Sequence, residues 1–443
     1  MNRSTRPAAW ISTTQRAAWK PMPLPKAPAR ARLGRDAMPL ALSGQQHQQI
    51  EGFGGCFNEL GWLALGSLRA SQRDKVFRSL FDPREGCRFN IGRLPIGASD
   101  YAASWYSHNE TEGDLQMRQF SIERDRRALI PYIRQALKLR EDLRLFASPW
   151  SPPTWMKHPP VYNYGTMIWR KEILDAYALY FVKFVQAYQA EGIRIAQIHP
   201  QNEPLADQKF PSCRWTGRQL RDFIRDHLGP ALARHKVAAE IWLGTLNTSD
   251  YDGFVNTVLS DRRALAHIAG VGVQWDGKGL IGRTTESYPQ VRTMQTENEC
   301  GDGGNAWAYA MYVFDLMRHY FVSGVNAYVY WNMVLPPGGA STWGWKQNSM
   351  ITVDPRTGLT TWNHEFHVMK HFSRFVDAGA VRLGLRGAWT GNSLAFRNPD
   401  GGLVFVVRNP FEEPRGLSLD AGGKAFNISL PSDSINTLCV GSK

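Results

Sequence analysis

Between residues 50 and 376 short apolar runs alternate with stretches whose apolar residues recur at spacings of three and four. This alternation is the pattern of strands followed by helices around a parallel sheet, and it constrains the fold more than any other feature of the chain. The runs that read as strands are 50–57, 89–94, 143–149, 193–200, 240–245, 268–275, 291–296 and 327–334. Each is followed by a helical pattern, so the expectation is an α/β fold, a (β/α)8 barrel. The clearest helices are 173–188, with Leu174, Tyr177, Phe181, Phe184 and Tyr188 on one face, and 307–321. Thr216 is placed as the N-cap of a helix over 218–228.

After Val376 the helical period stops, and short alternating runs at 394–397, 403–408, 426–430 and 435–440 read as antiparallel strands. One strand-like run, Ala9–Thr14, stands alone near the start, before a proline-rich crossing at Pro21, Pro23, Pro25 and Pro28. A single strand does not fold by itself, so it is expected to join the C-terminal strands in one β-sandwich built from both termini. The division is then residues 1–40 as the N-terminal contribution to the sandwich, 41–376 as the barrel and 377–443 as the rest of the sandwich. A length of 443 residues accommodates one large barrel and one smaller module.

Composition removes other classes. Apolar residues at 43% and charged residues at 21% are globular values. The net charge of +13 is concentrated at the start, where Arg3, Arg6, Arg16, Lys20, Lys26, Arg30, Arg32 and Arg35 face only Asp36. No basic helix or aromatic-interleaved stripe follows, so no nucleic-acid partner is expected. No apolar run is long enough to cross a membrane or to serve as a secretory signal, which reads as a cytoplasmic chain or one whose export signal has been removed. Cys56, Cys87, Cys213, Cys300 and Cys439 are odd in number and lack CxxC spacing, so reduced thiols are expected. His364, Glu365 and His367 lack the spacing of a zinc-protease helix, and GFGG and GDGG lack a phosphate-loop lysine, so neither metal nor cofactor is expected. The sequons at Asn109, Asn247 and Asn427 carry weight only in a secretory context.

In an eight-fold barrel the reactive groups sit at the carboxyl ends of strands. The fourth strand ends in Gln201, Asn202 and Glu203 before Pro204, and the seventh ends at Glu297. Three βα steps separate these glutamates, so both can point into one mouth. Glycosidic-bond hydrolysis needs such a pair, one carboxyl protonated to assist the leaving group and one ionised to attack the anomeric carbon. Burial and mutual charge can separate their pKa values so that both work at one pH.

Six motifs then make the chain recognisable: EGFGGCFNELGW at 51–62, NIGRLPIGASDY at 90–101, FASPWSPPTWMK at 146–157, HPQNEP at 199–204, TENECG at 296–301 and YWNMVLPPGG at 330–339. In this order they resemble glycoside hydrolase family 30, glucosylceramidase-like retaining β-glycosidases with a (β/α)8 barrel and a sandwich to which both termini contribute. The resemblance implies Glu203 as acid/base and Glu297 as nucleophile; Glu299 is a neighbour, but family nucleophiles follow a Thr or Ser, as Glu297 follows Thr296. It implies Asn202 on the sugar 2-hydroxyl, Arg93 steadying the nucleophile, Asp100 on distal hydroxyls, and Trp150 and Trp331 lining the glycone pocket, which Asn348 closes. Gln274 is counted with the substrate-binding residues, although it and Asp276 stand where the glucosylceramidase branch has His and Tyr; Phe210 stands where a tyrosine is expected.

The implied activity is retaining hydrolysis of β-glucosides, such as glucosylceramide or related glucosides, by double displacement. The alternatives are a β-xylosidase, an endo-β-1,6-glucanase or a xylanase of the same family. A non-catalytic carbohydrate-binding protein is the alternative of another class. The expected partner is a carbohydrate or glycolipid substrate.

Overall fold

The computed structural model describes residues 9–24 and 37–441. Pro25, Pro28 and most of the basic run (Arg3, Arg6, Lys26, Arg30, Arg32 and Arg35, with Asp36) lie outside the described residues.

Eight parallel strands close into a barrel. They are β1 (Gly52–Cys56), β2 (Ile91–Pro95), β3 (Arg144–Ser148), β4 (Ile195–Ile198), β5 (Glu240–Leu246), β6 (Ile268–Gln274), β7 (Arg292–Glu297) and β8 (Ala327–Asn332). Each falls on one of the apolar runs. Closure is made by β8 against β1, from Ala327 opposite Gly52 to Asn332 opposite Cys56. On its other side β1 packs tightly on β2: a Cβ on Gly54 would lie 1.9 Å from the Ile91 carbonyl oxygen, so the backbones approach as only glycine permits. Inside the barrel Ile91, Phe146, Trp242, Met294 and Val329 form a plug. It is a packed core and leaves the reactive positions to the open, carboxyl end.

Helices surround the strands. Lys171–Ala190 buries Leu174, Tyr177, Phe181, Phe184 and Tyr188 against the barrel, the face read from the sequence. Trp307–Ser323 buries its stripe likewise and ends at Gly324, whose φ of 117° suits a left-handed cap. Thr216 caps Gly217–Phe223 in a capping box with Gln219; the chain continues as a π turn over Ile224–Leu228, where an α-helix was expected.

A nine-stranded sheet forms the second module. Ala9–Thr14 runs antiparallel to Ser434–Val440, from Ala9 opposite Cys439 to Thr14 opposite Ser434. Trp10, Trp389, Phe405, Leu417, Phe426 and Leu438 lie in the core that the sheet encloses. Three longer strands here were absent from the sequence reading: Met38–Gln49, Val381–Arg386 and Arg415–Asp420. Met38–Gln49 pairs with both others, antiparallel to the first and parallel to the second, so the sheet is not wholly antiparallel. It also keeps the chain in this module past the boundary expected at residue 41. Its sequence is Gln-rich and mostly solvent-facing, so it shows little apolar alternation.

The chain enters the barrel at Ile50 beside the point where it leaves. Ile50 and the 379–380 segment exchange two backbone hydrogen bonds of 2.7 Å. His371 pins the two modules from the helix His364–Ser373, with one ring nitrogen 2.8 Å from Thr437 Oγ1 and the other 2.8 Å from Thr13 Oγ1. Among the described residues no helix is long and apolar enough to cross a membrane. All five cysteines are buried and outside any disulfide.

Candidate active site

Glu203 sits just beyond β4 with a φ of 46°, a left-handed conformation that costs a non-glycine residue energy. Neighbouring strand ends enforce it: Asn202 N donates to Pro149 O at 2.8 Å, and Glu203 N donates to Thr245 O at 3.0 Å. Glu297, the last residue of β7, is 5% exposed. Both carboxyl groups accept from one amide nitrogen, Gln274 Nε2, at 3.0 Å for Glu203 Oε1 and 3.2 Å for Glu297 Oε2.

Arg93, the middle residue of β2 and fully buried, lies beneath the pair. Its Nη1 is 2.7 Å from Glu297 Oε2, and its Nη2 donates to Asn202 Oδ1 at 2.6 Å and Ser148 Oγ at 2.9 Å. The guanidinium carbon stands 4.6 Å from the Trp150 ring centre and 5.2 Å from that of Trp331. Asn202 Oδ1 also accepts from Thr245 Oγ1 at 3.0 Å, so the donor end of this amide is the part left for the pocket.

The pocket over these groups has a volume of about 260 Å³, slightly below the ordinary range of ligand cavities, which starts near ~300 Å³. Asp100, Trp150, Asn202, Glu203 and Glu297 line it. Trp331 does not: it is fully buried and stacks behind Trp150 at 5.3 Å. Asn348 does not either. Its Oδ1 accepts from the backbone N–H groups of Gly303 and Asn305 at 2.9 and 3.0 Å, and its Nδ2 donates to buried Glu365 at 2.7 Å. It holds the loop behind Glu297, and its neighbour Gln347 takes the place in the wall.

Sequence reasoning assigned no site role to the residues on the outer side of the pocket: Gln208, Phe210, Asn247, Trp275, Asp276 and Trp345. Asn247 and Trp275 follow β5 and β6 directly, so the strand-end rule applied to every strand would have found them. Phe210 and Trp345 meet edge to face at 6.4 Å.

Burial and the charge of Glu297 push Glu203 up to about 7. Burial also raises Glu297, against the pull of Arg93 and hydrogen bonds from Trp275 and Gln274. Asp100 is driven well above the usual carboxylate range by burial and by both glutamates, and its Oδ1 has no hydrogen-bond partner. Glu299 points elsewhere, held by Lys278 Nζ and Tyr312 OH, each at 2.8 Å.

Other features lack this convergence. A cavity of about 400 Å³ at the opposite end of the barrel is lined by Arg144, Glu240 and Arg292. Arg144 pairs there with Glu51 at 2.9 Å and Arg292 with Glu240 at 2.7 Å, so the charges are internally balanced. In the helix that carries His364, Glu365 and His367, His364 packs on Trp307 at 5.2 Å and Glu365 holds Asn348. No group of three or more His, Cys, Asp or Glu side chains is gathered as a metal site among the described residues.

Comparison with known proteins agrees with this geometry. Residues 50–376 match the glycosyl hydrolase family 30 TIM-barrel domain, and 379–438 match the glycosyl hydrolase family 30 beta sandwich domain. The chain is 29% identical to the lysosomal acid glucosylceramidase of Mus musculus over 89% of this chain and 81% of that protein. It is 30% identical to an endo-1,6-beta-D-glucanase of Neurospora crassa over 84% of this chain and 81% of that protein. The crystal structure of SrfJ from Salmonella typhimurium superposes with a TM-score of 0.88 at 26% identity, covering 98% of this chain and 100% of that one.

Proposed function

Because the chain belongs to glycosyl hydrolase family 30 and is a glycoside hydrolase, we propose that it is a retaining β-glucosidase working by double displacement. The observation that carries this reading is the shared amide. Two oxygens accepting from one nitrogen at 3.0 and 3.2 Å cannot be farther apart than the sum of those legs. That bound lies below the ~6.5 Å at which inverting pairs begin.

Glu203, with its raised pKa, is the acid: it gives its proton to the glycosidic oxygen as that bond to the anomeric carbon breaks. Glu297, kept ionised by Arg93, forms the new bond to the anomeric carbon from the opposite face. Glu203, now a carboxylate, removes a proton from water, whose oxygen displaces Glu297 and restores the starting state. The free donor end of Asn202 suits the sugar 2-hydroxyl, and Trp150 offers a ring face to the sugar.

Glucosylceramidases and endo-1,6-glucanases are both among the relatives, and the outer pocket supports the second kind of aglycone. Its lining is aromatic or polar throughout, with Gln208, Asn247 and Asp276 beside Phe210 and Trp345, and it includes no aliphatic side chain. Flat rings and hydrogen-bonding groups suit a hydroxylated ring; alkyl chains would be matched by aliphatic walls. We therefore rank β-glucosyl saccharides ahead of glucosylceramide. The test is a panel of p-nitrophenyl β-glycosides, β-1,6-linked gluco-oligosaccharides and a glucosylceramide, with proton NMR of the first anomer released. β-Glucose as first product is expected; α-glucose would overturn the retaining mechanism.

A further inference from the structure

Gln274 closes β6, where a register shift between Val273 and Gln274 brings it opposite Glu297 on β7. The side chain is fully buried, and its two ends face unlike neighbours. Its carbonyl oxygen accepts from Arg93 Nη1 at 3.2 Å and from Thr296 Oγ1 at 3.0 Å. Its nitrogen donates to Glu203 Oε1, Glu297 Oε2 and Asn202 Oδ1 at 3.0, 3.2 and 3.2 Å. Arginine can only donate. A half-turn of the amide would set its NH2 against the guanidinium and its carbonyl against two carboxyl groups, so Arg93 locks the orientation.

We propose that Gln274 is a positioning residue: its locked amide fixes the gap and mutual orientation of the Glu203 and Glu297 carboxyl groups with a bridge that never changes charge. This replaces the sugar contact expected of it and rests on reading the two glutamates as the reacting pair. During turnover Glu203 alternates between acid and carboxylate while Glu297 alternates between carboxylate and ester. A titratable bridge would change charge with them; an amide neither gains nor loses a proton and donates throughout. A donor aimed at a carboxylate favours the ionised form, so Gln274 opposes the burial that raises both groups. The other charged or titratable groups facing the pair are the Arg93 cation and Asp100, from β2 and the loop behind it, and Asp276 in the outer wall after β6, together with the Cys56 and Cys300 thiols and the Tyr101 phenol. Burial pushes the last three up, so they stay neutral at working pH.

The test uses the full chain with Gln274→Met, which keeps the length and removes the donor, and Gln274→His, whose ring cannot donate to both carboxyls from one N–H. The pH dependence of kcat/KM is measured on phenyl β-glucoside, whose basic leaving oxygen needs the Glu203 proton, with active enzyme counted separately from the phenol burst of a dinitrophenyl β-glucoside. For Gln274→Met we expect both limbs of the bell to move to higher pH by about half a unit to one unit, kcat to fall about 10–100-fold, and KM to stay within about twofold. A rise in KM with both limbs unmoved would make Gln274 a sugar contact and overturn the proposal. Carbon-13 NMR of labelled glutamate carboxyls, assigned with Glu203→Gln and Glu297→Gln, reads the same shift without turnover. Unchanged titration of both glutamates in either Gln274 variant would also overturn it. If the unaltered chain hydrolyses no β-glucoside, the catalytic reading fails, while the NMR titration still decides the bridge.

Discussion

Arg93 Nη1 lies 2.7 Å from Glu297 Oε2 in an ion pair whose side chains are 0% and 6% exposed. Two rings, Trp150 and Trp331, flank the guanidinium, and its second nitrogen reaches β3 and the end of β4 through Ser148 and Asn202. One arginine therefore joins four strand ends and supplies the only cation bonded to the carboxyl pair among the described residues. A buried pair of this kind contributes little net stability while intact, yet breaking it leaves a charge with no partner and no water.

Arg93→Met should therefore lower unfolding stability by about 3–5 kcal/mol and reduce kcat/KM by more than about 100-fold. Arg93→Lys restores the charge without the planar fork and should fall between the two. Chemical denaturation together with turnover of a p-nitrophenyl glucoside checks this. A Met variant as stable as the parent would remove the ion pair from the account of the site.

The alkaline limb of kcat/KM should have its midpoint near pH 7, where Glu203 loses the proton it must donate. The same raised pKa bears on stability. The folded state holds that proton up to about pH 7, whereas the unfolded chain releases it near the ordinary glutamate value of 4.5. Glu203 therefore imposes no penalty below pH 4.5 and a full one above 7, and its effect on stability is a loss as pH rises between them. Glu203→Gln should remove that slope, with a gain on the order of 2–3 kcal/mol at pH 8 and none at pH 4. Melting curves at both pH values decide it.

The two glutamates should differ in rescue. Glu203→Ala should retain glycosylation with acidic phenol leaving groups, accumulate the covalent intermediate, and regain turnover with azide as a β-glycosyl azide. Glu297→Ala should lose turnover of every substrate, and any azide product should be the α-anomer, formed by attack from the vacated face. The reverse pattern, or Glu299→Ala behaving as the nucleophile variant, would reassign the roles.

Asn348→Ala should act on the fold rather than on sugar binding. It leaves the N–H groups of Gly303 and Asn305 and the Glu365 carboxyl without their shared partner, a loss of about 1–3 kcal/mol. The melting temperature should drop while the inhibition constant for a glucose-like inhibitor stays within about threefold of the parent. A weakened inhibitor at unchanged stability would return Asn348 to the pocket.

Deleting residues 1–20 should uncover the edge of Ser434–Val440 and remove Thr13 from His371 and Trp10 from the sheet core. Aggregation on heating and a lower melting temperature are expected, although no pocket residue is removed. A truncated chain that melts and turns over like the parent would show the N-terminal strand to be dispensable.

The barrel was legible in the sequence because each of its strands is buried on both faces and so reads as a continuous apolar run. The glutamates were legible because they interrupt that pattern at strand ends, where polar residues cannot belong to the plug. The strand Met38–Gln49 was not legible: it holds its place through backbone pairing, and its exposed face carries glutamines that resemble a loop. Asn348 and Trp331 were expected in the wall on motif position alone, which says nothing of side-chain direction. The fold turned the first toward Glu365 and packed the second behind Trp150. Gln274 is the clearest division. The sequence determined that a neutral amide ends the sixth strand. That the amide spans both carboxyls depends on a register shift and on an arginine from the far side of the barrel, long-range geometry that no local pattern encodes.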